Sequence, residues 1–219
     1  MALELYGHPF SSYTWKALIP LYENATPFTF RMLGPDQRDN GRALKAVWPI
    51  GKFPVLVDAG VPVVESSTII EYLDVHHAGP VRFLPADAVA SIEVRMLDRI
   101  FDNHVMGVMQ RAVIDAMLPL ERRDPHVMTA VSTALDTIYA WLDERLAGRA
   151  WAVGEAFTLA DCAAAPALFY ADWVHPIEPR FPTVRAYRER LLARASVKRC
   201  VDDARPYRAL FPLGAPDRD

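Results

Sequence analysis

Three short segments in the first third of this chain carry groups that could bind a small charged ligand. The first is Ser11-Ser12, at a turn from a predicted strand into a predicted helix. Unpaired N–H groups at a helix start favour an anion, and a nearby hydroxyl can donate a further hydrogen bond to it. Both effects would lower the pKa of a thiol bound there. The alternative is that one serine only caps the helix, as serine commonly does.

The second segment is Phe53-Pro54, immediately before a predicted strand. A proline that enters a strand leaves the backbone groups of its neighbour able to pair elsewhere, so a peptide-like ligand could add to Phe53 as a further strand. The alternative is an ordinary loop proline.

The third segment is Glu65-Ser66, between a predicted strand and a predicted helix. A helix start would hold a carboxylate through its N–H groups and the Ser66 hydroxyl, while the Glu65 carboxylate could face an ammonium. Such a pair suits the end of a ligand that carries both charges, as an α-amino acid does. A capping box made by Thr68 and Glu71 is the alternative, and both interpretations can hold together.

Alternating strand and helix patterns position these segments. The predicted elements are a strand over residues 3–7, a helix from about Ser12, a strand over residues 28–32, a loop over residues 34–41, hairpin strands over residues 55–57 and 61–64, and a helix with Ile69, Ile70 and Leu73. Pro20 lies inside the first helix and should bend it or end it early, because proline cannot donate the backbone hydrogen bond.

After a segment punctuated by Gly79, Pro80 and Pro85, every pattern is typical of helix. The apolar residues of the first helix predict one long face, formed by Val89, Ile92, Met96, Ile100, Phe101, Val105 and Met109. Further helices are predicted over residues 127–146, from Thr158, and over residues 184–192. We therefore predict an α/β domain over residues 1–80 and an all-helical domain over residues 86–219.

The composition excludes several classes of function. A formal net charge of −3 over 219 residues provides no basic field for nucleic acid. No apolar run approaches the roughly 20 residues of a membrane helix, and the first ten residues do not resemble a secretory signal. The two cysteines, Cys162 and Cys200, and the six histidines lack the spacing of a disulfide framework or a metal site. We expect a cytoplasmic protein with no metal and with no nucleic-acid or membrane partner.

The order and spacing of the three segments resemble the thioredoxin-like domain of cytosolic glutathione transferases. The matching stretches are residues 5–11, residues 51–56, and Glu65-Ser66 with Ile69, Tyr72 and Leu73. In the second half, residues 154–161 are similar to the family's capping-box motif, with Thr158 and Asp161 at the N-cap and N3 positions. The resemblance covers nearly the whole chain. It implies a bacterial, serine-type member with a thioredoxin-like N-terminal domain, an all-α C-terminal domain and theta- or zeta-like features at the first helix.

For the ligand, the resemblance implies glutathione, bound by the first domain. Glu65 and Ser66 would bind its γ-glutamyl end, and the backbone of Phe53 would pair with its cysteinyl unit. A cis bond would precede Pro54, and Lys52 would reach the glycyl carboxylate. No metal is implied.

For the chemistry, the resemblance implies that Ser11 assists the glutathione thiolate, with Ser12 and Tyr6 as alternatives. The candidate residues for a site that binds a hydrophobic electrophile are Phe10, Tyr13, His104, Val105 and Met109. The chain departs from the family at Trp48-Pro49, where Asn-Pro is common, and at Tyr13, which replaces a cysteine of the zeta class.

The implied activity is transfer of glutathione to a hydrophobic electrophile by a homodimer. The alternatives are a glutathione-dependent peroxidase, thiol reductase or isomerase, and, in a different class, a non-catalytic module that binds glutathione or another protein. The first helix has no cysteine at its start, which argues against a redox enzyme that uses its own thiol.

Overall fold

A four-stranded mixed sheet forms the centre of the first domain in the computed structural model, which describes residues 3–219. The predicted start of this domain at residue 1 therefore lies outside the described residues. The sheet order is β2-β1-β3-β4, with β1 parallel to β2 and antiparallel to β3. The strands are β1 (Leu3–Gly7), β2 (Phe28–Met32), β3 (Val55–Asp58) and β4 (Val61–Val64).

Helices cover both faces of this sheet. They are α1 (Ser12–Glu23), α2 (Arg38–Val47) and α3 (Ser66–His76). Because successive strand residues point to opposite faces, Leu5 packs in the main core with α1 and α3, whereas Tyr6 packs against Leu44 of α2. The predicted α/β order is confirmed.

One local prediction in this domain was wrong. Residues 38–41 are helical and begin α2, which the sequence did not reveal because Leu44 is the one buried residue described in that helix. Of the two outcomes predicted for Pro20, a bend or an early end, the early end does not occur, since the helix continues to Glu23. Burial of α1 from Thr14 to Leu21 compensates for the hydrogen bond that the proline cannot donate.

The second domain is helical, as predicted. Its helices are α4 (Ala88–Ile100), α5 (Gly107–Ala116), α6 (Val127–Arg145), α7 (Leu159–Val174), α8 (Pro182–Ala193) and α9 (Ala195–Ala204). Every residue of α7 is buried, and this helix packs against both α1 and α4. It therefore forms the centre of the contact between the two domains.

A π-helical segment, Phe101–Met106, joins α4 to α5. Its last hydrogen bond runs from the N–H of Gly107 to the carbonyl of Asp102. A side chain at position 107 would place its Cβ 3.2 Å from that carbonyl oxygen, so glycine suits this wide turn.

The long apolar face predicted along this region is in fact two faces. Val89 and Ile92 are 76% and 67% exposed, whereas Phe101 and Val105 are fully buried. Phe101 follows Met96 by five positions. Five positions along an α-helix correspond to one full turn plus about 140°. The two sets of residues therefore cannot share a side of the helix.

Candidate functional site

A continuous cleft lies between the first domain and the α4–α5 region. Its polar half has a volume of about 450 Å³ and its apolar half about 530 Å³. The two halves meet at Tyr13, Lys52 and Phe53, which line both. The other residues of the polar half are Trp48, Pro54, Glu65, Ser66, Ser67, Thr68, Arg99, Asp102 and Asn103. Those of the apolar half are Phe10, Ser11, Ser12, Gly51, Met109, Gln110, Val113, Met117, Tyr170, Leu210, Phe211 and Pro212.

Ser11 lies at the junction between β1 and α1 and lines the apolar half close to Tyr13. Its hydroxyl caps α1 by accepting a hydrogen bond from the N–H of Thr14 at 3.3 Å. A hydroxyl that accepts one hydrogen bond still has a proton to donate, and the accepted bond polarises that proton. The capping role and a role in binding a sulfur are therefore compatible.

The two alternatives to Ser11 lie in different surroundings. Ser12 is the first residue of α1 and also lines the cleft. Among residues 3–219, the N–H groups of Ser12 and Tyr13 have no backbone partner. Such a helix start favours the binding of an anion. Tyr6 is buried on the opposite face of the sheet, where its hydroxyl contacts Glu4 at 3.4 Å. Because alternate residues of a strand point to opposite faces of the sheet, Tyr6 lies outside the cleft.

Phe53 and Pro54 form the floor where the halves meet. The peptide bond between them is cis. Within the described residues, the N–H and C=O of Phe53 have no backbone partner, which leaves both able to pair with a ligand. Lys52 is exposed beside them and makes no ion pair with any described residue. Trp48, the departure noted in the sequence, also lines the polar half.

Glu65 and Ser66 lie at the start of α3, in the wall of the polar half. Glu65 has a φ of 69°, a conformation that is uncommon for a residue other than glycine and that is often kept at functional sites. It makes no side-chain cap with the first N–H groups of α3. Because Ser66, Ser67 and Thr68 line the polar half, this helix start suits a carboxylate bound there.

The alternative capping box does not form, because α3 begins before Thr68. The Glu71 carboxylate instead forms an ion pair with Arg95 at 2.8 Å.

Beneath the polar half lies a buried cluster of charges. The ammonium nitrogen of Lys16 is 2.5 Å from Oδ1 of Asp98 and 2.6 Å from Oδ2 of Asp102. It also donates to the hydroxyl of Ser67 at 2.8 Å, and that hydroxyl donates to Asp98 at 2.9 Å. Arg99 adds a contact to Asp98 at 2.7 Å. Of these carboxylates, Asp102 lines the cleft.

Tyr13 lies where the two halves meet. Burial, followed by the negative charges of Asp102 and Glu65, raises the pKa of its phenol to about 12. The phenol therefore stays protonated at neutral pH and can only donate or accept a hydrogen bond as a neutral group.

The predicted electrophile residues Phe10, Tyr13 and Met109 are brought together in the cleft. The sequence missed much of the apolar wall, because Tyr170 and Phe211 come from distant parts of the chain. The ring of Phe10 lies edge-on to Tyr170 at 5.5 Å, and the hydroxyl of Tyr170 donates to the carbonyl of Phe10 at 2.9 Å. Phe211 packs edge-on against Trp173 at 5.2 Å.

The predictions for His104 and Val105 were wrong. Val105 is fully buried in the core. His104 lines a separate apolar cavity of about 590 Å³ between the α4–α5 region and α6. Helical winding turns these two side chains away from the cleft, while Met109, farther along, returns to it.

Thr158 and Asp161 form the predicted capping box at the start of α7. The buried Asp161 carboxylate accepts hydrogen bonds from the N–H of Thr158 at 2.7 Å and from the hydroxyl of Tyr187 at 2.6 Å. These contacts satisfy a helix end that has no access to water. They lie in the core and do not line the cleft.

Residues 3–219 contain neither a candidate metal site nor a membrane-spanning helix. No three His, Cys, Asp or Glu side chains in that range are placed to share a metal ion. In the same range, no helix is both long and apolar enough to cross a membrane. Cys162 and Cys200 are buried free thiols.

The comparisons with known proteins agree on one family. Residues 5–81 match the model of the N-terminal domain of glutathione S-transferases, and residues 125–190 match that of their C-terminal domain. The glutathione S-transferase-like protein LUC7 of a Fusarium species is 32% identical over 70% of this chain and 72% of its own length.

Two solved structures are similar over most of their length. A glutathione S-transferase from Methylobacillus flagellatus with glutathione bound is 25% identical, with a TM-score of 0.76 over 91% of this chain and 98% of that one. Another, from Methylobacterium radiotolerans in complex with glutathione sulfonate, is 26% identical, with a TM-score of 0.78 over 92% and 95%. This chain belongs to the glutathione S-transferase family.

Proposed function

We propose that this protein is a glutathione S-transferase that binds glutathione in the polar half of the cleft and a hydrophobic electrophile in the apolar half. The observation that carries the proposal is the meeting of the two halves at Tyr13, Lys52 and Phe53, next to Ser11 and Ser12 in the apolar half. A peptide in the polar half that extends towards Phe53 places its cysteine at this meeting point. The sulfur then faces the apolar wall.

The polar half matches the chemistry of glutathione along its length. The N-terminus of α3 and the Ser66 hydroxyl receive the γ-glutamyl carboxylate. Glu65 and Asp102 supply two carboxylates for the neighbouring ammonium. Phe53 offers its backbone N–H and C=O to the cysteinyl unit, and Lys52 receives the glycyl carboxylate.

Ser11 stabilises the thiolate. Its polarised hydroxyl donates a hydrogen bond to the sulfur, and the N–H groups at the start of α1 add a favourable field. The thiolate then attacks the electrophilic carbon: a C–S bond forms, and the leaving group or the electrophile's π system takes the electron pair. Holding both reactants side by side supplies much of the rate enhancement.

The apolar half favours an electrophile with aromatic or aliphatic surface. Phe10, Phe211 and Val113 offer carbon surface, and Met109 and Met117 can adapt to different shapes. This wall supports conjugation over reduction of a small peroxide, which would need no apolar site of this size.

We further propose that the protein forms a homodimer. Val89, Ile92 and Met96 form an exposed apolar stripe on α4, which a second copy would cover. Sedimentation velocity should give a dimer for the wild type and a monomer for Ile92→Glu. The control Ile114→Glu changes an exposed isoleucine of α5 and should remain dimeric.

The test of the activity is the ultraviolet absorbance of the bound thiolate as a function of pH. Bound to the wild type, the thiol should have a pKa well below the ordinary value of about 8.5. Ser11→Ala should raise that pKa by about one unit, since a lost hydrogen bond to a charged group is worth on the order of 1.5 kcal/mol. The matched variant Ser12→Ala should leave it unchanged.

An equal thiol pKa in wild type and Ser11→Ala would show that Ser11 is not the activating group. If the folded wild type is not retained on immobilised glutathione, the chain is instead an interaction module that does not use this ligand.

A further inference from the structure

Lys16 is a fully buried lysine in the middle of the proposed binding machinery. Its side chain is 1% exposed and contacts three elements at once. It belongs to α1, the helix that Ser11 caps. It donates to Ser67, in the first turn of α3, and it pairs with Asp98 of α4 and Asp102 of the π-helical segment. Burying an ammonium costs several kcal/mol unless it is fully paired, so its position calls for a specific role.

The two carboxylates that face Lys16 differ in their surroundings. Asp98 is fully buried and also contacts Ser67 and Arg99. The side chain of Asp102 is 15% exposed and lines the polar half. Asp98 therefore balances the charge of Lys16 inside the core, while Asp102 presents a carboxylate to the cleft.

The role of Asp102 depends on its protonation. Burial raises the pKa of its carboxyl, and the nearby negative charge of Asp98 adds to this effect. Lys16, the strongest opposing influence, and Arg99 lower that pKa. Tyr13 also faces Asp102 but stays neutral, since its own pKa is raised to about 12.

We propose that Lys16 is a positioning residue for glutathione: it holds the Asp102 carboxylate ionised and fixed in the wall of the polar half, where that carboxylate receives the ammonium of the ligand. This inference rests on the proposed function. Lys16 does not touch the ligand itself, because it lies behind Asp102 and out of the cleft.

The test measures the affinity for S-methylglutathione by calorimetry at about pH 6 and pH 8. This probe has no thiol to titrate, so its binding does not report on Ser11. The test variant is Lys16→Met/Asp98→Asn, which removes one cation and one buried carboxylate together and keeps the cluster neutral. Lys16→Gln/Asp98→Asn repeats the measurement with a polar side chain, so that the result does not depend on one variant folding.

Both double variants remove Lys16, whose charge and hydrogen bond lower the pKa of Asp102, together with Asp98, whose weaker effect raises it. The pKa of Asp102 should therefore rise. Because the ionised form binds the ammonium, affinity should then be lower at pH 6 than at pH 8. The wild type should change much less. The control Glu23→Gln breaks a partly buried ion pair with Arg194 at the other end of α1 and should retain the wild-type profile.

Adding Asp102→Asn to the double variant should give weak binding at both pH values and no pH dependence. A wild-type profile in the double variants would reduce Lys16 to a purely structural role and overturn the proposal. So would a pH dependence that persists without Asp102. If the folded wild type fails to bind the probe at either pH, the proposed function itself is wrong.

Discussion

The two halves of the cleft are supported in different ways. Beneath the polar half, the buried Lys16 and Asp98 contact each other, Ser67 and Asp102 at distances of 2.5–2.9 Å. Behind the apolar half, aromatic rings pack against one another at centroid distances of 5.2–6.4 Å; they are those of Phe10, Tyr170, Trp173 and Phe211. The first support is directional, and the second depends on area and shape.

This difference matches two tasks. A ligand whose charges are always in the same places is best held by fixed donors and carboxylates, and buried ion pairs resist displacement because breaking one leaves an uncompensated charge. Electrophiles that vary in shape are better met by apolar surface that can adapt. We therefore expect substitutions in the polar half to act on glutathione, and substitutions in the apolar half to act on the second substrate.

The largest effect should come from the support of the polar half. Lys16→Met leaves Asp98 and Asp102 without their shared cation, which should lower the free energy of unfolding by about 3–5 kcal/mol. Denaturant unfolding measures this value. Lys16→Met/Asp98→Asn should recover a large part of the loss. Equal stability of Lys16→Met and wild type would mean that this cluster is not a support.

The next effect concerns the ligand itself. Glu65→Gln keeps the size of the side chain but removes a charge from the ammonium site, so glutathione affinity should fall about 10–100-fold. Calorimetry measures the change. The extra affinity of an S-hexyl over an S-methyl group should stay the same, because that part of the ligand lies in the other half.

Glu71→Gln is the matched control for this variant. Its carboxylate lies on the same helix, but it is paired with Arg95 outside the cleft. If both glutamine variants weaken glutathione equally, the effect of Glu65 is not local.

A smaller effect is expected in the apolar half. Leu210 is 60% exposed and lines it, so Leu210→Ser should hardly change stability. It should reduce the affinity for S-hexylglutathione by about 1 kcal/mol, roughly fivefold, and leave that for S-methylglutathione unchanged. Leu213→Ser, an exposed leucine outside the lining, should change neither. Weaker binding of both ligands to Leu210→Ser would contradict the claim that the apolar half acts only on the second substrate.

The smallest effect concerns the turn that joins the halves. The Nδ1 atom of His8 accepts a hydrogen bond from the N–H of Phe10 at 3.1 Å, and burial lowers the pKa of this imidazole. The unfolded chain therefore takes up a proton at higher pH than the folded one. This contribution to stability is complete above about pH 6.5 and is lost as the pH falls below it.

Unfolding curves at several pH values should show this loss in the wild type. His8→Asn keeps an acceptor for the turn but does not titrate, so it should lose less stability in the same interval. Equal pH dependence of the two proteins would assign the titration to other groups.

The sequence predicted the polar half better than the apolar half, for a physical reason. Phe53 and Glu65 lie next to the ends of strands, and each is recognisable from its immediate neighbours. The apolar half joins Met109 to Phe211, and no local pattern reports such a contact.

Other parts of the molecule lacked a local signal for different reasons. Helix α2 was missed because its exposed residues resemble a loop, and Leu44 alone does not make an apolar face. Lys16 has no distinguishing context either, since a lysine in a helix is usually solvated. Its role emerges only when Asp98 and Asp102 are brought beside it.

The most direct test is a crystal structure of the protein with S-hexylglutathione. The γ-glutamyl end should lie against Glu65 and Ser66, the cysteinyl unit should pair with the backbone of Phe53, and the sulfur should lie within hydrogen-bonding distance of Ser11. The hexyl chain should extend between Met109 and Phe211. A peptide bound outside the polar half, or a hexyl chain directed away from the apolar half, would contradict the account.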